Sequence, residues 1–140
     1  MNAERFFVDT NILVYAYDLT AGEKRRKASS CLERLWEEEN GVLSTQVLQE
    51  FAAVVTRKLP KPLSPEATGK IIADLVCWDV HVNTPRDILE ALNLQKKHLL
   101  SFWDALVITA ALQSGANVML SEDFSPKLKI AGLAIRNPFL

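Results

Sequence analysis

Short apolar runs alternate with longer amphipathic stretches along the chain, and this alternation predicts an α/β domain with a mainly parallel sheet. The series opens at Arg5 to Asp9, where Phe6, Phe7 and Val8 are consecutive rather than alternating. A continuous apolar run of this kind is expected of a strand covered on both faces. Asn11 to Tyr17 is apolar and predicts a short helix. Glu23 to Glu39 reads as a longer helix, because Ala28, Cys31, Leu32, Leu35 and Trp36 fall on one face at helical spacing. Asn40-Gly41 ends it, with the glycine suited to a left-handed cap. Val42-Leu43 follows as a short second strand.

The same logic carries through the rest of the chain. Thr45 to Lys58 is a helix with a stripe of Val47, Leu48, Phe51, Val54 and Val55, stopped by Pro60 and Pro62. Ser64-Pro65 restarts the helical pattern, with serine at the cap and proline in the first turn, and that helix runs to about Cys77. Val80-His81-Val82 alternates as a third strand. Thr84-Pro85 repeats the start signal for a helix to about His98. Ser101 caps the next helix, which runs to Ser114 and is closed by Gly115. Val118-Met119-Leu120 is a fourth strand and Leu133-Ala134-Ile135 a fifth, with a short helix expected between Pro126 and Ile130. The predicted order is β-α-α-β-α-α-β-α-α-β-β.

Composition narrows the class. The 140 residues suit one compact domain over residues 1–140, and 49% hydrophobic with 24% charged residues marks a globular chain. No apolar run approaches the roughly 20 residues needed to cross a bilayer, and Met1 to Arg5 lacks the layout of a secretion signal. A cytoplasmic protein without membrane association is the expectation. Cys31 and Cys77 sit in apolar, helix-like stretches without a CxxC pattern, so both are expected to be reduced and to fill core space. Two isolated histidines, His81 and His98, do not suggest a zinc site. With a net charge of −1, the chain does not attract a polyanion as a whole. Local basic patches or metal ions would have to hold one.

Candidate chemistry follows from topology. In open parallel sheets, ligands bind beyond the carboxyl ends of the strands. Asp9-Thr10-Asn11 follows the first strand, Ser44-Thr45-Gln46 the second, with Glu50 further along the helix, and Ser121-Glu122-Asp123 the fourth. Asp104 lies in the first turn of the helix that feeds the fourth strand. Each acid has a structural alternative. Asp9 can cap the helix from Asn11, Glu50 can be an exposed helical residue, Asp104 can complete a capping box with Ser101, and Asp123 can be a turn residue. Together the four carry more information. Clustered carboxylates repel one another unless a cation is present, and hard ions such as Mg²⁺ or Mn²⁺ favour oxygen ligands. No P-loop, GxGxxG or Gly-x-Ser-x-Gly pattern competes.

The quoted segments resemble a known family. Phe-Val-Asp9-Thr10-Asn11-Ile-Leu-Val-Tyr, Ser44-Thr-Gln-Val-Leu-Gln-Glu50-Phe, Trp103-Asp104-Ala-Leu-Val-Ile-Thr-Ala-Ala111 and Leu120-Ser121-Glu122-Asp123-Phe124 are similar, in order and spacing, to PIN domains. The similarity is strongest to the small VapC toxins of toxin–antitoxin pairs, and it covers nearly the whole chain. It implies a three-layer α/β/α sandwich with strand order near 3-2-1-4-5. Strands one and four would then lie side by side, and Asp9 and Asp123 would meet at the switch point. It also implies a Mg²⁺- or Mn²⁺-dependent endoribonuclease leaving 5′-phosphate and 3′-hydroxyl ends. Asp9, Glu50, Asp104 and Asp123 would hold metal, and Thr10, Asn11 and Ser121 would support them. Glu122 is a further acid able to reach the metal through water. A homodimer and a small inhibitory antitoxin are the implied partners. For RNA contact the sequence offers Lys24, Arg25, Arg26 and Lys27, with Lys96-Lys97-His98 and Arg57-Lys58 as further basic runs. The competing readings are an acid-pocket phosphohydrolase with Asp9 as nucleophile, for which the second aspartate two positions on is missing, and a non-catalytic binding module.

Overall fold

Central in the sheet is the first strand of the chain, β1 (Phe6–Val8). The computed structural model describes residues 4–140. Met1 to Ala3, part of the stretch read as lacking a secretion signal, lie outside them. After β1 come α1 (Thr10–Tyr17), α2 (Glu23–Glu38), β2 (Gly41–Ser44), α3 (Thr45–Val55), α4 (Pro65–Leu75) and β3 (Asp79–His81). The chain continues with α5 (Pro85–His98), α6 (Phe102–Gln113), β4 (Val118–Leu120) and β5 (Ala134–Arg136). This is the predicted order. The strands lie β3-β2-β1-β4-β5, and every pairing is parallel. Five parallel strands flanked by six helices, counted among the described residues, make the α/β architecture that the sequence implied.

Burial explains why these residues form these elements. Phe7 and Val8 are inaccessible to solvent, as are Val42 and Leu43 on β2 and Met119 on β4. These strands are covered on both faces, so their apolar runs do not alternate. Helix α6 is the extreme case. Ala105 to Ala111 are all buried, because α6 is packed between α5 and the rest of the molecule. The middle of α6 is apolar all round because it has no solvent face, while Trp103 and Asp104 in its first turn are exposed. Polar residues mark the helix starts: Ser44, Ser64, Thr84 and Ser101 each accept a backbone hydrogen bond from the first turn of the helix they cap.

Several local expectations are corrected. Gly41 is not the cap of α2. Glu39 takes the left-handed conformation there (φ 54°), and Gly41 opens β2 with the Trp78 ring packed against its Cα. A Cβ at this position would collide with that ring. Cys77 is exposed in the turn after α4 rather than in the core, while Cys31 is partly buried; both thiols are free. No helix forms at Pro126 to Ile130, where the chain makes a turn with Leu128 N–H donating to Ser125 O at 3.0 Å. Asp104 completes only half a capping box: its N–H donates to Ser101 Oγ at 3.1 Å, without a returning side-chain bond. The reciprocal box is on α5 instead, where Asp87 accepts from Thr84 N–H at 2.8 Å. The remaining differences are strand and helix ends shifted by one to three residues. No helix among the described residues is long and apolar enough to cross a membrane.

Candidate acidic site

The sheet order decides which loop ends meet. Val8 is paired with Leu120, so the next residues, Asp9 and Ser121, leave adjacent strands side by side. Asp9 N–H donates to Leu120 O at 3.0 Å, which continues the ladder by one bond. Asp9 then serves two ends. It caps α1, with Oδ1 accepting from Thr10 N–H at 2.8 Å. Its Oδ2 accepts from Ser121 Oγ at 2.7 Å and from Asn11 Nδ2 at 3.2 Å. The capping and functional readings of Asp9 are therefore compatible, because different oxygens carry them.

Asn11 and Ser121 tie Asp123 to the same point. Asn11 Nδ2 lies 3.0 Å from Asp123 Oδ2 and 3.4 Å from Ser121 Oγ. Asp123 N–H donates to Ser121 Oγ at 3.1 Å. The fully buried Ser121 hydroxyl thus donates to Asp9 while accepting from the Asp123 backbone. Thr10 reaches the other way, donating from Oγ1 to Glu50 Oε1 at 3.2 Å. Asp104 is exposed at the start of α6 and near enough to Glu50 to act on its charge. Of the four acids, Asp9 is buried at 6% exposure, and the other three sit at the solvent edge.

The electrostatics follow. Burial is the main cause that raises the Asp9 carboxyl from its ordinary 3.8 to about 6, and the negative charges of Asp123 and Glu50 add to it. Hydrogen bonds from Ser121 and Thr10 oppose the rise. Partial burial likewise pushes Glu50 upward, Asp104 adds repulsion, and Thr10 and Gln46 pull it back. Among the described residues, no three acidic, histidine or cysteine side chains converge tightly enough to enclose an ion by themselves. The donor set still suits a hard divalent cation. It is all oxygen, it repels itself without a counter-charge, and Mg²⁺ commonly uses one or two carboxylates with waters and substrate phosphates completing its shell.

Two features escaped the sequence reading. Gln46 is buried at 4% exposure, and its Nε2 donates to Trp103 O at 3.2 Å. It therefore links α3, which carries Glu50, to α6 beside Asp104. The sequence placed Gln46 at the carboxyl end of the second strand but gave no sign of this contact. The second is the pairing of the basic run. Lys24 is ion-paired with Glu122, Arg26 with Glu23, and Lys27 Nζ lies 3.5 Å from Phe139 O. Arg25 has no ion pair among the described residues. Glu122, read as an acid able to reach the metal through water, has its carboxylate taken up by Lys24 and Tyr15.

Three cavities of about 340 to 560 Å³ lie elsewhere, the 560 Å³ one beside α2 and lined by Phe6, Cys31, Arg34, Asn40 and Arg136 among others. None of the three is lined by the four acids.

Solved structures with this fold include the Mycobacterium tuberculosis toxin VapC20, described as cleaving the sarcin-ricin loop. It is 19% identical, with a TM-score of 0.64 over 84% of this chain and 89% of that one. A toxin–antitoxin complex from Klebsiella pneumoniae matches with a TM-score of 0.68 and 20% identity over 96% of this chain and 98% of that one. VapBC2 from Rickettsia felis, bound to a promoter DNA fragment, matches with a TM-score of 0.65 and 20% identity over 94% and 97%. No curated relative matches the sequence. The PIN domain profile matches residues 6–127, from the start of β1 past Asp123, and on that match the chain belongs to the PIN domain family.

Proposed function

We propose that the protein is a Mg²⁺- or Mn²⁺-dependent endoribonuclease, the toxin of a toxin–antitoxin pair. One observation carries the reading: a buried aspartate at the carboxyl end of the central strand shares Ser121 and Asn11 with a second aspartate. Two carboxylates held together in this way call for a cation. The toxins with the same fold support the choice of RNA and of an antitoxin as partner.

In this reading Asp9 and Asp123 would hold the metal directly, with Glu50 and Asp104 contributing from α3 and α6. A bound divalent ion supplies neutralisation of the charge that develops on the scissile phosphate. The chain's own residues do the rest. Asn11 and Ser121 orient the two aspartates. Thr10 holds the Glu50 carboxylate by a hydrogen bond, and a bound cation would favour its ionised form. The products would carry 5′-phosphate and 3′-hydroxyl ends. Arg25 is the member of the basic run best placed for RNA contact, since its neighbours Lys24 and Arg26 are ion-paired within the protein.

A homodimer belongs to the same proposal. Ile88, Leu89 and Leu92 lie three and four residues apart on α5 and are 44 to 67% exposed, with Trp103 63% exposed at the start of α6. Large apolar side chains grouped on one face mark an interaction surface. For the antitoxin, co-purification with the product of a short reading frame directly upstream is the test.

The decisive measurement is RNA cleavage by the pure protein with Mg²⁺ or Mn²⁺, with EDTA, and as Asp9→Asn. Cleavage should need the metal and vanish with the substitution. Cleavage that survives Asp9→Asn removes the site from consideration, and a phospho-aspartate on Asp9 would favour the phosphohydrolase instead.

A further inference from the structure

Glu122 precedes Asp123 in the chain, yet its carboxylate is engaged by groups that do not touch Asp9. Its Oε2 accepts from the Tyr15 hydroxyl at 2.7 Å, and its Oε1 is ion-paired with Lys24 Nζ. The Lys24 ammonium lies 4.9 Å from the Tyr15 ring centroid and 5.5 Å from that of Phe139. Those two rings meet edge to face at 5.2 Å. A surface ion pair between two mobile chains contributes little. Here the cation also lies over two rings, which adds cation–π attraction to the ion pair.

The main chain of the same residue is gripped as well. Glu122 N–H donates to Asn11 Oδ1 at 3.1 Å. Asn11 and Tyr15 are four residues apart on α1 and so share a face of that helix. One helix face therefore holds residue 122 twice, by its backbone and by its carboxylate, and Lys24 closes on it from α2. The next residue is Asp123, whose carboxylate meets the other end of the Asn11 amide. The stretch after β4 has no regular structure until β5 begins at Ala134. Left free, it would have to be ordered at the cost of binding energy.

We propose that Tyr15, Lys24 and Glu122 are positioning residues that pin the turn after β4, keeping Asp123 beside Asp9 for divalent cation binding. The proposal rests on the acidic-site reading above. It also gives Glu122 a definite role: the acid next to Asp123 is neutralised by Lys24 and kept out of the repulsive cluster, rather than serving as a metal ligand.

Mn²⁺ binding to the full chain, followed by electron paramagnetic resonance titration, tests this without relying on catalysis. Thermal unfolding of each variant checks that it is folded. Wild type should bind Mn²⁺, and Asp9→Asn should lose it. Tyr15→Phe, which removes one hydroxyl, and Lys24→Met should each weaken binding by up to roughly 10-fold, the low end for loss of a direct outer partner of a ligand, since both act on Asp123 through its neighbour Glu122. Lys24→Arg should restore most of it. Binding unchanged in Tyr15→Phe and Lys24→Met, but lost in Asp9→Asn, sinks the clamp and leaves the site standing. Tighter binding in those two variants, with loss in Glu122→Gln, overturns the proposal by making Glu122 a ligand. No Mn²⁺ binding by wild type overturns the site reading and the clamp with it.

Discussion

Asp9 carries a burial cost that its hydrogen bonds only partly offset. Its folded carboxyl titrates near 6, above the ordinary 3.8, so folding favours the protonated form. The sign follows directly. The stabilising contribution is complete below about 3.8, declines as pH rises through the window between 3.8 and 6, and is gone above it. At about 1.4 kcal/mol per pH unit, the difference is on the order of 3 kcal/mol. Urea unfolding of the metal-free protein at pH 4 and pH 7 should show wild type losing more stability than Asp9→Asn over that interval. Parallel pH dependences would show that Asp9 is not held near 6. Thr10 offers a second test. Its hydroxyl stabilises ionised Glu50, so Thr10→Val should raise the Glu50 pKa further. Because Glu50 must be ionised to contribute to the metal, cleavage by this variant at pH 6 should fall relative to pH 8, compared with the same ratio in wild type.

At the scale of elements, Gly41 is a packing requirement. Because the Trp78 ring occupies the space a Cβ would take, Gly41→Ala must displace either the ring or β2. Overpacking of this kind costs about 1 to 3 kcal/mol, measurable as a lower denaturation midpoint; an unchanged midpoint would show that the ring moves freely. The same glycine illustrates what sequence reasoning reads and what it misses. The order of elements was legible because apolar runs and cap residues are local signals, as Ser64-Pro65 and Thr84-Pro85 show. Gly41 was assigned to a cap because Asn-Gly after a helix is a common local pattern, but the ring that demands it is 37 positions further along. Asp9 could be placed from its strand, since its neighbours define it. Gln46 and the Lys24–Glu122 pair could not, because each depends on a contact between elements far apart in sequence. The strand order came from resemblance, since pattern alone does not choose neighbours in a sheet.

For the whole molecule, the exposed apolar face of α5 makes a prediction about assembly. If a second copy covers it, light scattering should report a dimer, and Leu89→Glu should shift the protein to monomer without lowering the helix content seen by circular dichroism. A monomeric wild type would remove the dimer from the proposal. The sheet order has a consequence of another kind. β1 is made long before one of its two neighbours, β4, and Asn11 bonds to a residue 112 positions later. Pairing across so long a stretch carries a large loop-closure cost and is slow. A chain still on the ribosome, or cut short before residue 118, holds Asp9 without Ser121, Glu122 or Asp123. Protein synthesis therefore acts as a delay: a copy that lacks residues 121 to 123 cannot assemble the acidic edge, so the cell meets the complete site only after that stretch has been released to fold.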